Sequence, residues 1–298
     1  MAVKEPLVYI DGAFYPKSEA KISVYDHGLL YGDGVFEGIK AYGGSVFKLK
    51  EHMDRLFRSA HAIMLTIPLT KQGMIDAILE TLRRNNLRDA YIRLLVTRGF
   101  GDIGVDPRKC PKASIIIITE PLLQAFGVEA KEKGISAIIT WIRRDRVDAT
   151  SHEIKSMNYL NSMLAKLEAF DAGADDAIML DTRGFVSEAP TSNLFIVKNG
   201  EVVTPPPTAG ILCGITRATV MEIASKLGLR LTERDITPSE LLSADEVFLT
   251  GTHAEIVPVT KIAERIVGDG KVGAVTRRLI EEFKRVTRDP KYGVQIYP

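Results

Sequence analysis

Near the start of the chain, hydrophobic and polar residues alternate with a period of two, the pattern of strands that bury one face. Leu7-Val8-Tyr9-Ile10, then Asp11-Gly12, then Ala13-Phe14-Tyr15 predicts a tight hairpin, because Asp-Gly tolerates the left-handed backbone of a two-residue turn. A second hairpin is predicted at Val35 to Ala41. Phe36, Gly38 and Lys40 fall on one face there and Val35, Glu37 and Ile39 on the other, and Gly43-Gly44 turns the chain into Ser45-Val46-Phe47. Only one of those faces is expected to be core. The period then becomes helical: Met53, Leu56, Phe57, Ala60 and Met64 form one stripe, and Met74, Ile75, Ile78, Leu79 and Leu82 form another. Tyr91 to Thr97 and Ala113 to Thr119 predict buried strands, bounded by Gly99-Phe100-Gly101-Asp102 and by Pro121.

Glu129-Ala130-Lys131-Glu132-Lys133-Gly134 is a polar break between strand-like segments. It divides the chain into a small α/β domain over residues 1–121, a linker at 122–133 and a larger domain over 134–298. Beyond the break the pattern predicts a strand from Ile135 to Trp141 and a polar loop from Arg143 to Glu153. An amphipathic helix carrying Leu160, Met163, Leu164, Leu167 and Phe170 follows and stops at Gly173. Successive hairpins are expected from Ala177 to Leu180, Phe185 to Glu188, Asn193 to Val197 and Glu201-Val202-Val203. Thr216 opens a helix that runs to about Leu227, Thr237-Pro238-Ser239-Glu240 is a capping box, and Val247 to Thr250 is a strand. Val272, Val275, Leu279, Phe283 and Val286 mark a last helix. The fold class is mixed α/β.

Composition removes several classes of function. Of 298 residues, 45% are hydrophobic and 26% charged, as in ordinary globular proteins. Lys plus Arg total 39 against 38 acids, and a net charge of +1 gives no field to gather nucleic acid or an anionic membrane. The two cysteines, Cys110 and Cys213, form no Cys-x-x-Cys, which argues against a disulfide framework or a structural zinc and for a reducing compartment. The apolar run at Ile115 to Ile118 is far too short to span a bilayer, and Met1 to Gly12 lacks an apolar stretch of signal-peptide length. A cytoplasmic protein acting on small molecules is expected.

The candidate chemistry is scattered. No Gly-x-Ser-x-Gly surrounds a hydroxyl, and His52 and His61, nine apart, lack zinc-pair spacing and are expected at the surface. Glu153-Ile154-Lys155-Ser156-Met157-Asn158-Tyr159 places a lysine just before a helix, a position where most lysines are merely solvated. Glu188 ends a strand-like run inside Ser187-Glu188-Ala189-Pro190-Thr191-Ser192-Asn193. Gly210-Ile211-Leu212-Cys213-Gly214-Ile215-Thr216-Arg217 brings a glycine-flanked loop to a helix N-terminus, where free N–H groups accept phosphate, although without further context the favoured reading of Thr216 is a simple N-cap. Leu249-Thr250-Gly251-Thr252-His253-Ala254-Glu255 offers a second turn able to nest an anion.

A lysine, a separate acid, a tyrosine and two phosphate-cradling turns are what pyridoxal phosphate requires. The chain resembles the fold-type IV pyridoxal-phosphate enzymes, and among them the branched-chain amino acid aminotransferases. The likeness runs in one order through Tyr31-Gly32, Val35-Phe36-Glu37-Gly38, Glu51-His52-Met53-x-Arg55-Leu56 and Ala90-Tyr91-Ile92-Arg93. It continues through Lys155 with Asn158-Tyr159-Leu160, Ser187-Glu188 with Asn193-Leu194-Phe195, Gly214-Ile215-Thr216-Arg217 and Gly251-Thr252-x-Ala254-Glu255.

The resemblance implies a small N-terminal α/β domain, a larger C-terminal pseudo-barrel domain and pyridoxal 5'-phosphate in the cleft between them. It makes Lys155 the Schiff-base lysine and proton shuttle, Tyr159 the partner of the ring oxygen and Glu188 the partner of the pyridine nitrogen. Arg55, Ile215, Thr216 and Thr252 take the phosphate positions, and the N–H groups of Thr252 and His253 meet the substrate α-carboxylate. Tyr31, Phe36 and Gly38 wall the side-chain pocket, and Arg93 meets the distal carboxylate of glutamate. The implied reaction moves amino groups between L-leucine, L-isoleucine or L-valine and 2-oxoglutarate, in a homodimer or higher homo-oligomer. His253 and Ser156-Met157 depart from the family pattern. Rival readings are an aminodeoxychorismate lyase, a D-amino acid or amine transaminase of the same fold, and a non-catalytic pyridoxal-phosphate-binding protein; the segment after Arg98 lacks an Arg-x-His for D-substrates.

Overall fold

A computed structural model describes residues 5–122, 126–127 and 129–297. In chain order the elements are β1 (Leu7–Ile10), β2 (Ala13–Pro16), α1 (His27–Tyr31), β3 (Gly34–Tyr42), β4 (Ser45–Phe47), α2 (Leu49–Ala62), α3 (Lys71–Arg84), β5 (Ala90–Thr97) and β6 (Ser114–Pro121). Then come α4 (Ala130–Lys133), β7 (Ile135–Arg143), α5 (Leu160–Asp171), β8 (Asp176–Leu180), β9 (Asn193–Lys198), β10 (Glu201–Thr204) and α6 (Ile215–Lys226). β11 (Leu231–Glu233), α7 (Pro238–Leu242), β12 (Glu246–Gly251), β13 (Glu255–Ile262), β14 (Arg265–Ile266), α8 (Ala274–Thr287) and β15 (Gly293–Gln295) complete the chain.

Two compact units result, one of Met1–Leu123, Ile154–Asn158 and Thr287–Pro298, the other of Gln124–Glu153 and Tyr159–Val286. The single boundary expected at 122–133 therefore misses two returns to the first unit. Backbone pairing is the reason: Val35 bridges Ser156, and β15 joins β4 as a strand. The expected linker falls partly outside the described residues, and Ala130–Lys133 within it is a helical turn.

The first unit is built on an antiparallel sheet in the order β15-β4-β3-β5-β6-β1-β2. Asp11 and Gly12 have φ of 50° and 99°, and Gly43 and Gly44 have 57° and 91°, which are the left-handed turns that the two hairpins require. α2 and α3 turn Leu49, Met53, Leu56, Met74, Ile78 and Leu82 onto the core face beside Val35 and Ile39. The other face of β3 is buried too, contrary to the one-faced expectation, because Arg93, Tyr91 and Lys155 cover Phe36 and Gly38 there.

The second unit holds a mixed sheet in the order β11-β10-β9-β12-β13-β7-β8, with β14 on β13. β7 runs parallel to both β13 and β8, which is why its ends can receive a long loop and a helix. Phe195 and Phe248 stack at its centre with ring centroids 5.0 Å apart. Phe185 to Glu188 does not form the expected hairpin strand; only Val186 bridges Leu180. The backbone of Ser187 and Glu188 is tied to Met179 instead. Of the capping box expected at Thr237, the N-cap half is present, the hydroxyl accepting from the Glu240 N–H, while both Glu240 carboxylate oxygens accept from Arg234 instead. α5 is turned the other way from its sequence pattern. Ser162, Ala165 and Ala169 face inward, and Leu160 and Phe170 are 71% and 78% exposed, since only small residues let the helix approach β7 and β8 closely.

Candidate active site

In the first unit the segment 154–158 docks on β3. The Phe36 N–H donates to the Lys155 carbonyl at 3.0 Å, the Met157 N–H to the Gly34 carbonyl at 3.0 Å, and the Lys155 N–H to Ser59 Oγ at 3.1 Å. Gly34 permits this approach, because a Cβ there would lie 2.6 Å from Met157 Sδ and 2.8 Å from the Val96 carbonyl. Lys155 Nζ then sits 4.4 Å from the centre of the Phe36 ring, and the Arg93 guanidinium lies 4.8 Å from the same ring. Arg93 stands opposite Gly38 in the β3–β5 register. Gly38 leaves the space that Tyr91 Oη fills, 2.5 Å from where a Cβ would be. Phe36, Gly38, Arg93 and Lys155 are thus brought together, with Tyr91 added. Tyr31, at the end of α1, accepts from the Gly104 N–H at 2.8 Å and packs edge-on against His27.

Arg55 is buried behind this surface. Its Nε and Nη2 donate to the two oxygens of Glu37 at 2.7 Å each, and His52 Nδ1 donates to Glu37 Oε2 at 2.8 Å. His52 is therefore a core residue and not the surface histidine expected, since it lies on the inward stripe of α2 with Leu49, Met53 and Leu56. Burial raises the proton affinity of Glu37, but the Arg55 and His52 charges and hydrogen bonds outweigh it and bring the carboxyl to about 2. For His52 burial dominates over the pull of Glu37 and holds the imidazole below its ordinary value.

The second unit carries the other predicted residues. Tyr159 caps the start of α5. Glu188 is buried, and its Oε2 accepts from Asn193 Nδ2 at 2.9 Å and from the Leu212 N–H at 3.1 Å, while its Oε1 lies 3.1 Å from Arg144 Nη2. α6 begins at Ile215 with Gly214 as N-cap and no side-chain cap, so Thr216 is one residue inside the helix and not its cap. The first-turn N–H groups of α6 are accordingly open to an anion. Gly214 lies against Asn193, 2.1 Å from Oδ1 to a Cβ position, and Gly251 lies against Ser192 at 2.9 Å, so the 210–214 loop and the 251–253 turn both close on the segment after Glu188. Thr252 is half-buried, His253 is exposed, and the buried Thr250 Oγ1 has no hydrogen-bond partner among the described residues.

Sequence reasoning gave Glu37, Tyr91 and Arg144 no role of their own and placed His52 at the surface. An acid between Val35 and Ile39 on the apolar face of β3, with His52 and Arg55 on the apolar stripe of the next helix, is a signal that could have found the first pair. Arg144 leaves none, being one of two adjacent arginines in a polar stretch.

Comparison with known proteins defines an enzyme of amino-group transfer. Residues 34–262 match the family model of amino-transferase class IV, and the chain belongs to that family. It is 52% identical over 290 residues to a putative branched-chain-amino-acid aminotransferase of Methanocaldococcus jannaschii, covering 97% of this chain and 99% of that one. Branched-chain amino acid aminotransferase from Escherichia coli superposes with a TM-score of 0.95 at 34% identity, over 99% of this chain and 100% of that one. A branched-chain aminotransferase from the thermophilic archaeon Thermoproteus uzoniensis, solved with norvaline, superposes at 0.91 with 38% identity, over 98% of this chain and 99% of that one. A further solved branched-chain amino acid aminotransferase, complexed with N-(5'-phosphopyridoxyl)-L-glutamate, superposes at 0.91 with 39% identity, over 97% of each chain. No helix among the described residues is long and apolar enough to cross a membrane.

Glu37→Gln should cost about 3–5 kcal/mol of stability at neutral pH, because it leaves Arg55 buried without its counter-charge. Both Glu37 and His52 bind protons more readily unfolded than folded, so acid favours the unfolded chain. The His52 contribution is full above 6.5 and is lost as the pH falls below it; that of Glu37 is full above 4.5 and is lost as the pH falls toward about 2. Urea unfolding of both proteins across that range should show the gap between them narrowing in acid.

Proposed function

We propose that the chain uses pyridoxal 5'-phosphate to move amino groups between branched-chain L-amino acids (leucine, isoleucine and valine) and 2-oxoglutarate. The observation that carries this is the Phe36 ring, which bears the Lys155 amine and the Arg93 guanidinium within 4.8 Å of its centre. An apolar ring suits a branched aliphatic side chain, and an arginine beside it suits the second carboxylate of the glutamate pair. The phosphopyridoxyl-glutamate held by one of the solved relatives supports the same pairing.

The residues present fit the cofactor. A carboxylate held by three donors suits a basic ring nitrogen, and a helix start without a side-chain cap suits a phosphate. When bound, pyridoxal phosphate supplies an electron sink for the substrate's α-carbon. Lys155 Nζ would hold it and then take the α-proton as general base. Glu188 would keep a proton on the ring nitrogen, and Tyr159 would bond the ring oxygen. Arg55, Ile215, Thr216 and Thr252 would hold the phosphate. The N–H groups of Thr252 and His253 would meet the α-carboxylate, with Tyr31, Phe36 and Gly38 around the side chain.

A homodimer or higher homo-oligomer belongs to the same proposal. α5 exposes Leu160, Met163, Leu164, Leu167 and Phe170 in one stripe, and β7 exposes Trp141, a patch that a second copy of the chain would cover.

Borohydride reduction and peptide mapping of the holoenzyme should find the cofactor on Lys155, and Lys155→Ala should remain folded without fixing it; trapping on another lysine would refute the assignment. Arg93→Ala should slow the glutamate half-reaction far more than the leucine one, since only glutamate presents a charge to it. Single-turnover rates with the two amino acids on one preparation check this, and equal losses would remove the dual-recognition role. Leu167→Glu with Phe170→Glu should lower the mass seen by light scattering; an unchanged mass would exclude the α5 stripe as the interface.

A further inference from the structure

Arg144, which directly follows β7, is 1% exposed and among the largest fully buried side chains of the described residues. Burying a guanidinium is costly unless its donors are met. Nη1 donates to Asn161 Oδ1 at 3.1 Å and Ser162 Oγ at 3.0 Å, both on the first turn of α5. Nη2 donates to the Ala189 carbonyl at 3.1 Å and faces Glu188 Oε1 at 3.1 Å. Nε has no partner among the described residues.

The Asn193 amide and the Leu212 N–H meet the Glu188 carboxylate as neutral donors, and Arg144 meets it as a cation. Burial drives a carboxylate toward its protonated form; hydrogen bonds from neutral donors oppose that drive, and a cation in contact opposes it further. An arginine never gives up its own proton, so it supplies a constant positive charge. Resting on the activity proposed above, we propose that Arg144 is a positioning residue for amino transfer: it keeps Glu188 ionised, so that the proton between Glu188 and the cofactor's pyridine nitrogen stays on nitrogen. Were that proton on Glu188, the ring would be neutral and its pull on the α-carbon electrons would weaken. Its Nη1 bonds fix the guanidinium to the start of α5, where Tyr159 is the cap. One side chain thereby sets the position of two predicted contacts to the ring.

A brace between α5 and the 188–189 backbone would use the same hydrogen bonds without touching the nitrogen, and the test separates the two roles. Holoenzyme carrying pyridoxal phosphate labelled with 15N in the ring is examined by NMR, alongside turnover and the melting temperature of the cofactor-free protein. The wild-type nitrogen should be protonated. Arg144→Met should shift it toward the neutral-pyridine signal and lower turnover at least about tenfold, the equivalent of one pKa unit of proton preference. Arg144→Lys should restore the protonated signal, and Arg144→Gln, which retains polar contacts without charge, should behave as Arg144→Met and serves where that variant does not fold. A nitrogen that stays protonated in either neutral variant overturns the proposal even if the melting temperature falls, as does a neutral nitrogen in the wild type. A wild-type protein that takes up no cofactor overturns the proposed activity, and this inference with it.

Discussion

The surface around Phe36 depends on five residues, 154–158, returning to pair with β3. Segment 154–158 lies on β3 through backbone hydrogen bonds at Phe36, Lys155 and Met157, with Ser59 of α2 as a further anchor. Backbone bonds fix the Cα of Lys155, so its long and otherwise entropically costly side chain starts from a defined point over Phe36. The constraint propagates. Gly34 must lack a Cβ, Phe36 must present its ring on that face, and the opposite face must accept α2.

Each unit also contains a buried arginine–glutamate pair, Arg55 with Glu37 and Arg144 with Glu188. Such pairs are poor stabilisers in general, because desolvation offsets most of the Coulomb attraction. Their value here is geometric. Glu37 engages Arg55 through Nε and Nη2, which fixes the plane of the guanidinium and directs its remaining edge away from Glu37. Arg144 is held by α5 and by the backbone after Glu188, so the charge beside Glu188 does not wander.

The elements were largely legible where one local signal sufficed: Asp11-Gly12, the apolar stripe of α2 and α3, and the N-cap at Thr237. Most of the candidate residues came from a resemblance rather than from periodicity. What escaped depends on partners distant in sequence. The domain boundary was drawn once because neither the bridge from Val35 to Ser156 nor the β4–β15 ladder leaves a compositional trace. α5 carries a large apolar stripe that periodicity assigns to a core, whereas packing against β7 selected its small residues. Spacing alone set His52 aside as a zinc ligand and left it at the surface, and only the fold shows Glu37 waiting for it on the neighbouring strand.

The pairing of β15 with β4 has a consequence for how the chain is made. Synthesis runs from the N-terminus, so β3 and β4 leave the ribosome long before residues 293–295 exist. Throughout that interval β4 is an open sheet edge, able to pair with any extended strand in reach. Its register, Gly293 to Phe47 and Gln295 to Ser45, is set by a segment that follows the second unit in the chain, so the first unit's sheet is completed only after that whole unit has been translated.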